Sequence, residues 1–251
     1  MYELTTLIHG FPGRSTNHGG LGWSSVSLLR GHGETIIVDP GGYNYRMPLL
    51  AALAELGIRR EDVTAVALTH CHWDHACNFT LFPNARIVVP RQELEWASAQ
   101  TVGTWELPEL HVEYLDASDR VERIEDGDEP LPGFRAIATP GHTPGHFAYL
   151  APLSDGRRAV FAGDAIKNEV ELVSGAADMT LDADASRASI QTIRNMMSED
   201  PGLILVCGHD RQLSLSDGKV VAHTRLEAGI KIWTPASEVT PMVDLLADVT
   251  F

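Results

Sequence analysis

The chain has 251 residues, of which 34 are acidic and 19 basic, a formal net charge of −15. Such a balance repels a phosphate backbone and argues against nucleic acid as a partner. With 44% hydrophobic residues and no linker-like stretch or charge block, the chain can bury a substantial core as one domain, 1–251; three cysteines, an odd number, do not indicate a disulfide framework.

The first residues lack the basic start and apolar run of a signal peptide, and no apolar stretch long enough to span a bilayer follows. A soluble, cytoplasmic protein without membrane attachment is expected. Residues 2–8 read as a strand, and the Gly- and Ser-rich loop 9–22 as one that lines a pocket. Residues 23–30 and 35–39 flank Gly31-His32-Gly33-Glu34, a hairpin turn between two strands. Met47, Leu49, Leu50, Leu53 and Leu56 recur at helical spacing, and Gly57 stands where that helix would stop.

The strand expected over 63–69 runs into His70-Cys71-His72-Trp73-Asp74-His75, which packs three of the chain's eleven histidines and a carboxylate into six positions. Imidazole nitrogen and carboxylate oxygen are donors that zinc accepts, and residues two apart on an extended segment point the same way, so His70 and His72 could grip one ion. Asp74 and His75 would then face a second. Cys71, between them, should point away. Because zinc usually takes about four ligands, such a cluster needs partners elsewhere.

Residues 86–90 read as a strand and 91–99 as a helix, with Trp96 as packing. The stretch 100–133 is expected to hold loops plus a strand near Val121, its acidic run 125–129 being solvated. Strands follow at 134–139, 146–150 and 158–161, the last two joined by an Asp155-Gly156 turn. Residues 184–197 form an amphipathic helix carrying Ile190, Ile193, Met196 and Met197, and 216–218 a hairpin turn. Trp233 and Phe251 in the tail 230–251 are read as core packing, with a pocket cover or a homodimer interface as alternatives. Three loops supply further ligating types: Thr139-Pro140-Gly141-His142, continuing to His146; Ala162-Gly163-Asp164; and Cys207-Gly208-His209. Each follows a short apolar run, so each delivers His or Asp where a buried strand ends. Cys71 and Cys207 are read as small buried residues, and His9, His18, His32, His111 and His223 as unconnected with the cluster.

The ordered set His70-x-His72-x-Asp74-His75, His142, Asp164, His209 resembles the metallo-β-lactamase superfamily over about residues 24–210. The resemblance implies a four-layer αββα sandwich in the α/β class. It implies that His70, His72 and His142 hold one divalent metal ion, that Asp74, His75 and His209 hold another, and that Asp164 bridges them. Zinc is the first choice of metal, with iron and manganese also accepted by such donors. The same resemblance implies a metal-dependent hydrolase in which a bridging hydroxide attacks a carbonyl, with Asp74 or Asp164 passing a proton to the leaving oxygen. Asp39, closing a strand before Pro40-Gly41-Gly42, would hydrogen-bond a ligand imidazole or simply cap a turn. His146 would support the site from behind, act in structure alone, or take a direct part.

Within that superfamily the exported zinc β-lactamases carry Cys where this chain has Asp164, and the oxygen-reducing di-iron branch carries Glu where it has His72. Similarity to acyl-homoserine lactonases then points to a small-molecule lactone or ester as substrate. Glyoxalase II-like thioester hydrolysis, phosphodiester hydrolysis and a non-catalytic binding role on the same scaffold are the alternatives. One position departs: lactonases of that group have a Tyr three residues after the bridging Asp, where this chain has Lys167. Lys167 would contact a substrate carboxylate or face solvent, and Tyr43 or Tyr45 would reach the site from the loop after Asp39 instead.

Overall fold

The apolar runs of the sequence fall on two six-stranded sheets whose inner faces meet. The computed structural model describes residues 1–15, 19–231 and 242–246. In chain order, β1 (Glu3–Ile8), β2 (Arg14–Ser15), β3 (Gly19–Gly20), β4 (Val26–Gly31) and β5 (Glu34–Val38) precede helix α1 (Arg46–Glu55). Then come β6 (Ala65–Ala67), the single turn α2 (Trp73–Ala76), β7 (Arg86–Pro90), α3 (Arg91–Ser98), α4 (Glu109–Ala117) and β8 (Val121–Ile124). The second half holds β9 (Arg135–Ala138), β10 (Phe147–Pro152), β11 (Arg158–Gly163), α5 (Glu169–Ser174) and α6 (Ala183–Glu199). It continues with β12 (Ile204–Cys207), β13 (Gln212–Ser216), β14 (Lys219–Ala222), β15 (Gly229–Lys231) and β16 (Met242–Asp244).

The first sheet has the order β1-β4-β5-β6-β7-β8 and the second β14-β13-β12-β11-β10-β9. Period-two alternation explains the layering. Ile36, Val38, Ala65, Ala67, Val88, Phe161, Ile204 and Val206 form the cluster between the sheets. Their neighbours Ile37, Val66, Ile87 and Val89 point outward onto the layer that includes Leu49, Leu53, Leu94 and Leu115 of α1, α3 and α4. Val160, Leu205 and Cys207 point outward onto Leu172 of α5 and Ile190, Ile193 and Met197 of α6. Strand segments buried on both faces must be apolar, which is why residues 36–38 of β5, 87–90 of β7 and the whole of β12 read as unbroken hydrophobic runs. Each fully buried Leu, Ile or Phe contributes roughly 1.5–3 kcal/mol, so this layering carries the fold. The expected αββα sandwich is the observed architecture.

Turn chemistry fixes the hairpins. His32 (φ 54°) and Gly33 (φ 80°) join β4 to β5, and Asp217 (φ 51°) and Gly218 (φ 73°) join β13 to β14. Two consecutive positive φ angles match the twist of paired strands. The expectation of loops plus one strand over 100–133 is corrected: α4 lies there, and Val112 and Leu115 are buried. Its apolar positions are broken by His111, Glu113 and Tyr114, which obscured the helical period. His18, Trp233 and Phe251 lie outside the described residues.

β5 and β6 run parallel in one sheet, and β11 and β12 run parallel in the other. Their C-terminal ends carry Asp39, His70, Asp164 and His209, which therefore gather at one edge of the sandwich.

Candidate metal centre

The 70–75 segment leaves β6 extended, with His72 at φ −64° and ψ 149°, and then closes into the single turn α2. Extended backbone brings the His70 and His72 rings to 4.6 Å, and the turn carries Asp74 and His75 to the other side of the cluster. His142 enters from the loop after β9, with Nε2 3.0 Å from His72 Nδ1. His209 follows β12, with Nε2 3.3 Å from His75 Nε2. Asp164 stands between the two groups. Its Oδ2 lies 3.2 Å from His142 Nε2, while Oδ1 lies 3.1 Å from His75 Nε2 and 3.3 Å from His209 Nε2. Asp74 Oδ2 is 3.3 Å from His209 Nε2. Three overlapping sets could each hold an ion: His70 with His72 and His142; Asp74 with His75 and His209; and His70 with His75 and Asp164.

Hydrogen bonds on the far side of each ring decide where its lone pair points. A carboxylate only accepts, so the 2.7 Å contact of Thr69 Oγ1 with Asp39 Oδ2 is a hydroxyl donating to Asp39. Thr69 Oγ1 must then accept from His70 Nδ1 at 3.0 Å, which leaves His70 Nε2 bare. His75 Nδ1 donates to Asp39 Oδ2 at 2.9 Å, and His142 Nδ1 donates to the Met179 carbonyl at 2.9 Å. Both rings therefore turn Nε2 inward. Such outward bonds hold metal-binding imidazoles in one tautomer and orientation. His70 Nε2 is buried with no hydrogen-bond partner, and Asp164 Oδ1 faces the His75 and His209 nitrogens. An orphaned buried acceptor costs roughly 1–3 kcal/mol, and a cation is what such a ring of inward-facing acceptors fits. Nitrogens that share a tetrahedral ion at about 2.0–2.1 Å stand roughly 3.3–3.4 Å apart, close to the separations seen between facing rings.

The charge states divide the cluster. Burial, reinforced by neighbouring imidazoles, holds His70 and His142 well below the usual histidine range, and burial takes His72 down to about 4. These three rings are neutral and ready to coordinate. Burial opposes charge at His75 and His209 as well, but the Asp164 and Asp74 carboxylates outweigh it. His75 is raised well above the ordinary value and His209 is pushed up to about 9. Asp74 is drawn down to about 2 against its burial by the His75 and His209 imidazoles, and Asp164 is held low in the same way. In the protein by itself, the second group thus keeps protons where an ion would sit.

Four further expectations are resolved by contacts. Asp39 does more than cap a turn: it receives Thr69 N–H at 2.8 Å on Oδ1 besides the two bonds on Oδ2. His146 accepts the Asp164 backbone N–H at 3.0 Å on Nε2 and donates from Nδ1 to Thr139 Oγ1 at 2.9 Å. With both nitrogens engaged, it supports Asp164 from behind and has no donor left for an ion. Lys167 does not face solvent: it is 9% exposed, and its ammonium lies 3.0 Å from Glu171 Oε1. Its carbonyl accepts His209 N–H at 2.7 Å, and its ammonium lies near enough to the His72 and His142 imidazoles to help hold them neutral. Neither tyrosine faces the inward acceptors. Tyr45 is buried and donates to the Asp74 carbonyl at 2.7 Å, because the Tyr43–Tyr45 turn points it under α2, and its hydroxyl also meets Ser24. Tyr43 is half exposed, with its hydroxyl 2.5 Å from His111 Nε2. Sequence reasoning missed Thr69, Thr139, Glu93, Glu171 and the Met179 carbonyl. Only Thr69 and Thr139 carried a signal, each being a hydroxyl at the end of a strand just before a candidate histidine.

A model of the metallo-beta-lactamase superfamily matches residues 19–209. Metallo-beta-lactamase domain-containing protein 1 of Xenopus laevis is 33% identical over 145 residues, 58% of this chain and 55% of the relative. An N-acyl homoserine lactonase of a Bacillus species is 30% identical over 162 residues, 63% of this chain and 60% of the relative. The chain therefore spans less than two thirds of the length of these curated relatives. Among solved structures, a metallo-beta-lactamase-type protein of Thermotoga maritima superposes with a TM-score of 0.71 at 22% identity, covering 85% of this chain and 99% of that one. An AiiA variant of B. thuringiensis with N-decanoyl-L-homoserine bound at its active site superposes with a TM-score of 0.68 at 19% identity, covering 83% and 92%. At these identities the two structures share the fold.

Proposed function

The chain belongs to the metallo-beta-lactamase superfamily, and from that premise we propose that it is a dinuclear metal-dependent hydrolase of small carbonyl substrates, lactones and simple esters foremost. The observation that carries this reading is the convergence of the ligating atoms of His70, His72, His142, Asp164, Asp74, His75 and His209. His70, His72 and His142 would hold one ion, Asp74, His75 and His209 the other, and Asp164, with one oxygen toward each group, both. Zinc is the metal assigned first, since imidazole and carboxylate suit it; iron and manganese share that donor preference. When bound, the two ions supply Lewis acidity and an activated water, which is what attack on an ester carbonyl needs.

The chain's own residues supply the rest. Asp39, Thr69 and the Met179 carbonyl lock the ring tautomers, and His146 fixes the Asp164 backbone, so no reorganisation is needed at the moment of reaction. Asp74, whose side chain is 17% exposed against 6% for Asp164, is the carboxylate better placed to pass a proton to the leaving oxygen. The Lys167 ammonium lies near His72 and His142 with donors to spare, and we assign it to a substrate carboxylate that would draw it out of its buried place beside Glu171. The lactone preference is supported by a relative named as an N-acyl homoserine lactonase. Thioester or phosphodiester hydrolysis would use the same centre. The test is kcat/KM for a lactone series, aryl esters, lactoylglutathione and a phosphodiester on metal-loaded protein. Lactones or esters should lead. A thioester or phosphodiester ahead by more than about a hundredfold, roughly 2.7 kcal/mol of transition-state preference, would overturn the substrate assignment.

A further inference from the structure

We propose that Glu93 is a positioning residue for the three-histidine group, its buried carboxylate tying the segment that carries His70 and His72 to the loop that carries His142. Glu93 lies in the first turn of α3 with no exposed surface. Its Oε1 accepts the Cys71 N–H at 2.9 Å, from the residue between His70 and His72. Its Oε2 accepts the Thr143 hydroxyl at 2.6 Å, from the residue after His142, and the Gly145 N–H also donates to this carboxylate. The loop rests directly on the helix: a β-carbon at Gly145 would stand 2.0 Å from Glu93 N. Because a carboxylate only accepts, it collects donors from both segments without drawing on the lone pairs of the rings.

Other bonds hold each segment, but differently. Leu181 and Asp182 N–H donate to the Gly141 carbonyl, and Ser189 Oγ donates to the Pro140 carbonyl, which fastens the loop to α6 and leaves 70–72 untouched. Phe147 N–H donates to Thr69 O at 3.0 Å and joins the two segments at their far ends. Glu93 is the second tie, at the end where His72 Nδ1 and His142 Nε2 must stay 3.0 Å apart. A buried carboxylate costs stability even when hydrogen-bonded, as the rise of this group to about 7 through burial reflects. An apolar side chain there would avoid that cost but would orphan the Cys71 and Gly145 N–H groups and the Thr143 hydroxyl, and would leave the two segments joined only at Phe147.

The inference rests on the metal reading above, and the experiment separates the two. Zinc affinity is measured by chelator competition on the wild type, Glu93→Ala, Glu93→Gln and Thr143→Val. Anomalous diffraction locates the ions, and circular dichroism of the zinc-free proteins confirms folding. Glu93→Ala and Thr143→Val should weaken the three-histidine group by roughly 10- to 100-fold, the usual effect of removing a group that orients a ligand. The Asp74, His75 and His209 group should change by no more than about threefold, well below that range. Glu93→Gln should recover most of the loss: its oxygen keeps the Cys71 N–H, and its amide donates to a reoriented Thr143 hydroxyl. Two zinc ions on the wild type with unchanged affinity in the variants, or equal weakening at both groups, overturns the tie alone. No zinc on the wild type overturns the metal reading and the tie with it. Should Glu93→Ala fail to fold, Thr143→Val, which loses only one bond, decides by the same criterion.

Discussion

Exchanging one oxygen of Asp39 for an amide tests whether tautomers are set from behind the centre. Asp39 adopts φ 48°, a conformation that Asn tolerates as well as Asp, so Asp39→Asn should leave the backbone in place. Its carboxylate accepts three hydrogen bonds: Thr69 N–H at 2.8 Å, Thr69 Oγ1–H at 2.7 Å and His75 Nδ1–H at 2.9 Å. An amide has one accepting oxygen. With that oxygen kept on Thr69 N–H, the NH2 group faces His75 and Thr69 Oγ1, and His75 must accept on Nδ1. The one proton of the neutral ring then sits on Nε2, the atom 3.1 Å from Asp164 Oδ1, and the ring can no longer coordinate there. The expected cost is roughly 10- to 100-fold in affinity at the His75 group, about 1.4–2.7 kcal/mol. Asp39→Ala removes all three bonds and adds about 1–2 kcal/mol of left-handed strain to orphaned buried donors at about 1–3 kcal/mol each. A loss of at least about 4 kcal/mol is a large share of a typical 5–15 kcal/mol stability. Chelator competition reads the first variant and urea unfolding of the zinc-free protein the second. An Asp39→Asn protein that holds both ions as tightly as the wild type would refute the tautomer argument.

Asp164→Ala and His72→Ala should each abolish turnover and reduce bound metal while the circular dichroism stays native, since the folding energy lies in the apolar layers. Near wild-type turnover with unchanged metal in either would mean the ligands are misassigned. Gly163→Ala should cost roughly 2–5 kcal/mol in urea unfolding, from φ 48° and a β-carbon 2.4 Å from Thr69 Oγ1 and 2.8 Å from His146 Nε2. The zinc-free protein should melt lower at pH 9 than at pH 6. His209 is raised from 6.5 to about 9 and Glu93 from 4.5 to about 7, so each contributes stability that is complete below its unfolded value and lost as pH rises through the folded one. His72, lowered to about 4, and His70 and His142, held well below the ordinary value, oppose this by losing stability as pH falls below 6.5, which reduces the difference without reversing it, and Asp74, lowered to about 2, adds its loss only below pH 3.8. A zinc-free melting temperature that rises steadily from pH 6 to 9 would contradict this assignment of protons.

The layers were legible in the sequence because both sheets are buried on two faces: β5 as Thr35-Ile36-Ile37-Val38 and β12 as Ile204-Leu205-Val206-Cys207 leave little room for another reading. The cluster was legible because its members stand at strand ends in a spaced order. What holds the cluster was not. Glu93 sits in Arg91-Gln92-Glu93-Leu94-Glu95, where nothing local separates a buried carboxylate from the exposed Glu95 beside it. Lys167 became buried through the fold of α5, which brings Glu171 to it. Tyr45 looked like a group for the substrate and instead supports the Asp74 carbonyl, a direction set by the turn after Gly42 that composition does not encode. Among the described residues no helix is long and apolar enough to cross a membrane, in keeping with the absence of such a run in the sequence.

Elemental analysis of protein prepared with ample zinc, iron and manganese, combined with anomalous diffraction to place the ions, tests the central claim most directly. The account predicts two ions per chain, separated by about 3.5–4 Å, one against His70, His72 and His142 and the other against Asp74, His75 and His209, with Asp164 touching both. A preparation that carries no stoichiometric metal, or ions bound away from these seven side chains, would contradict it.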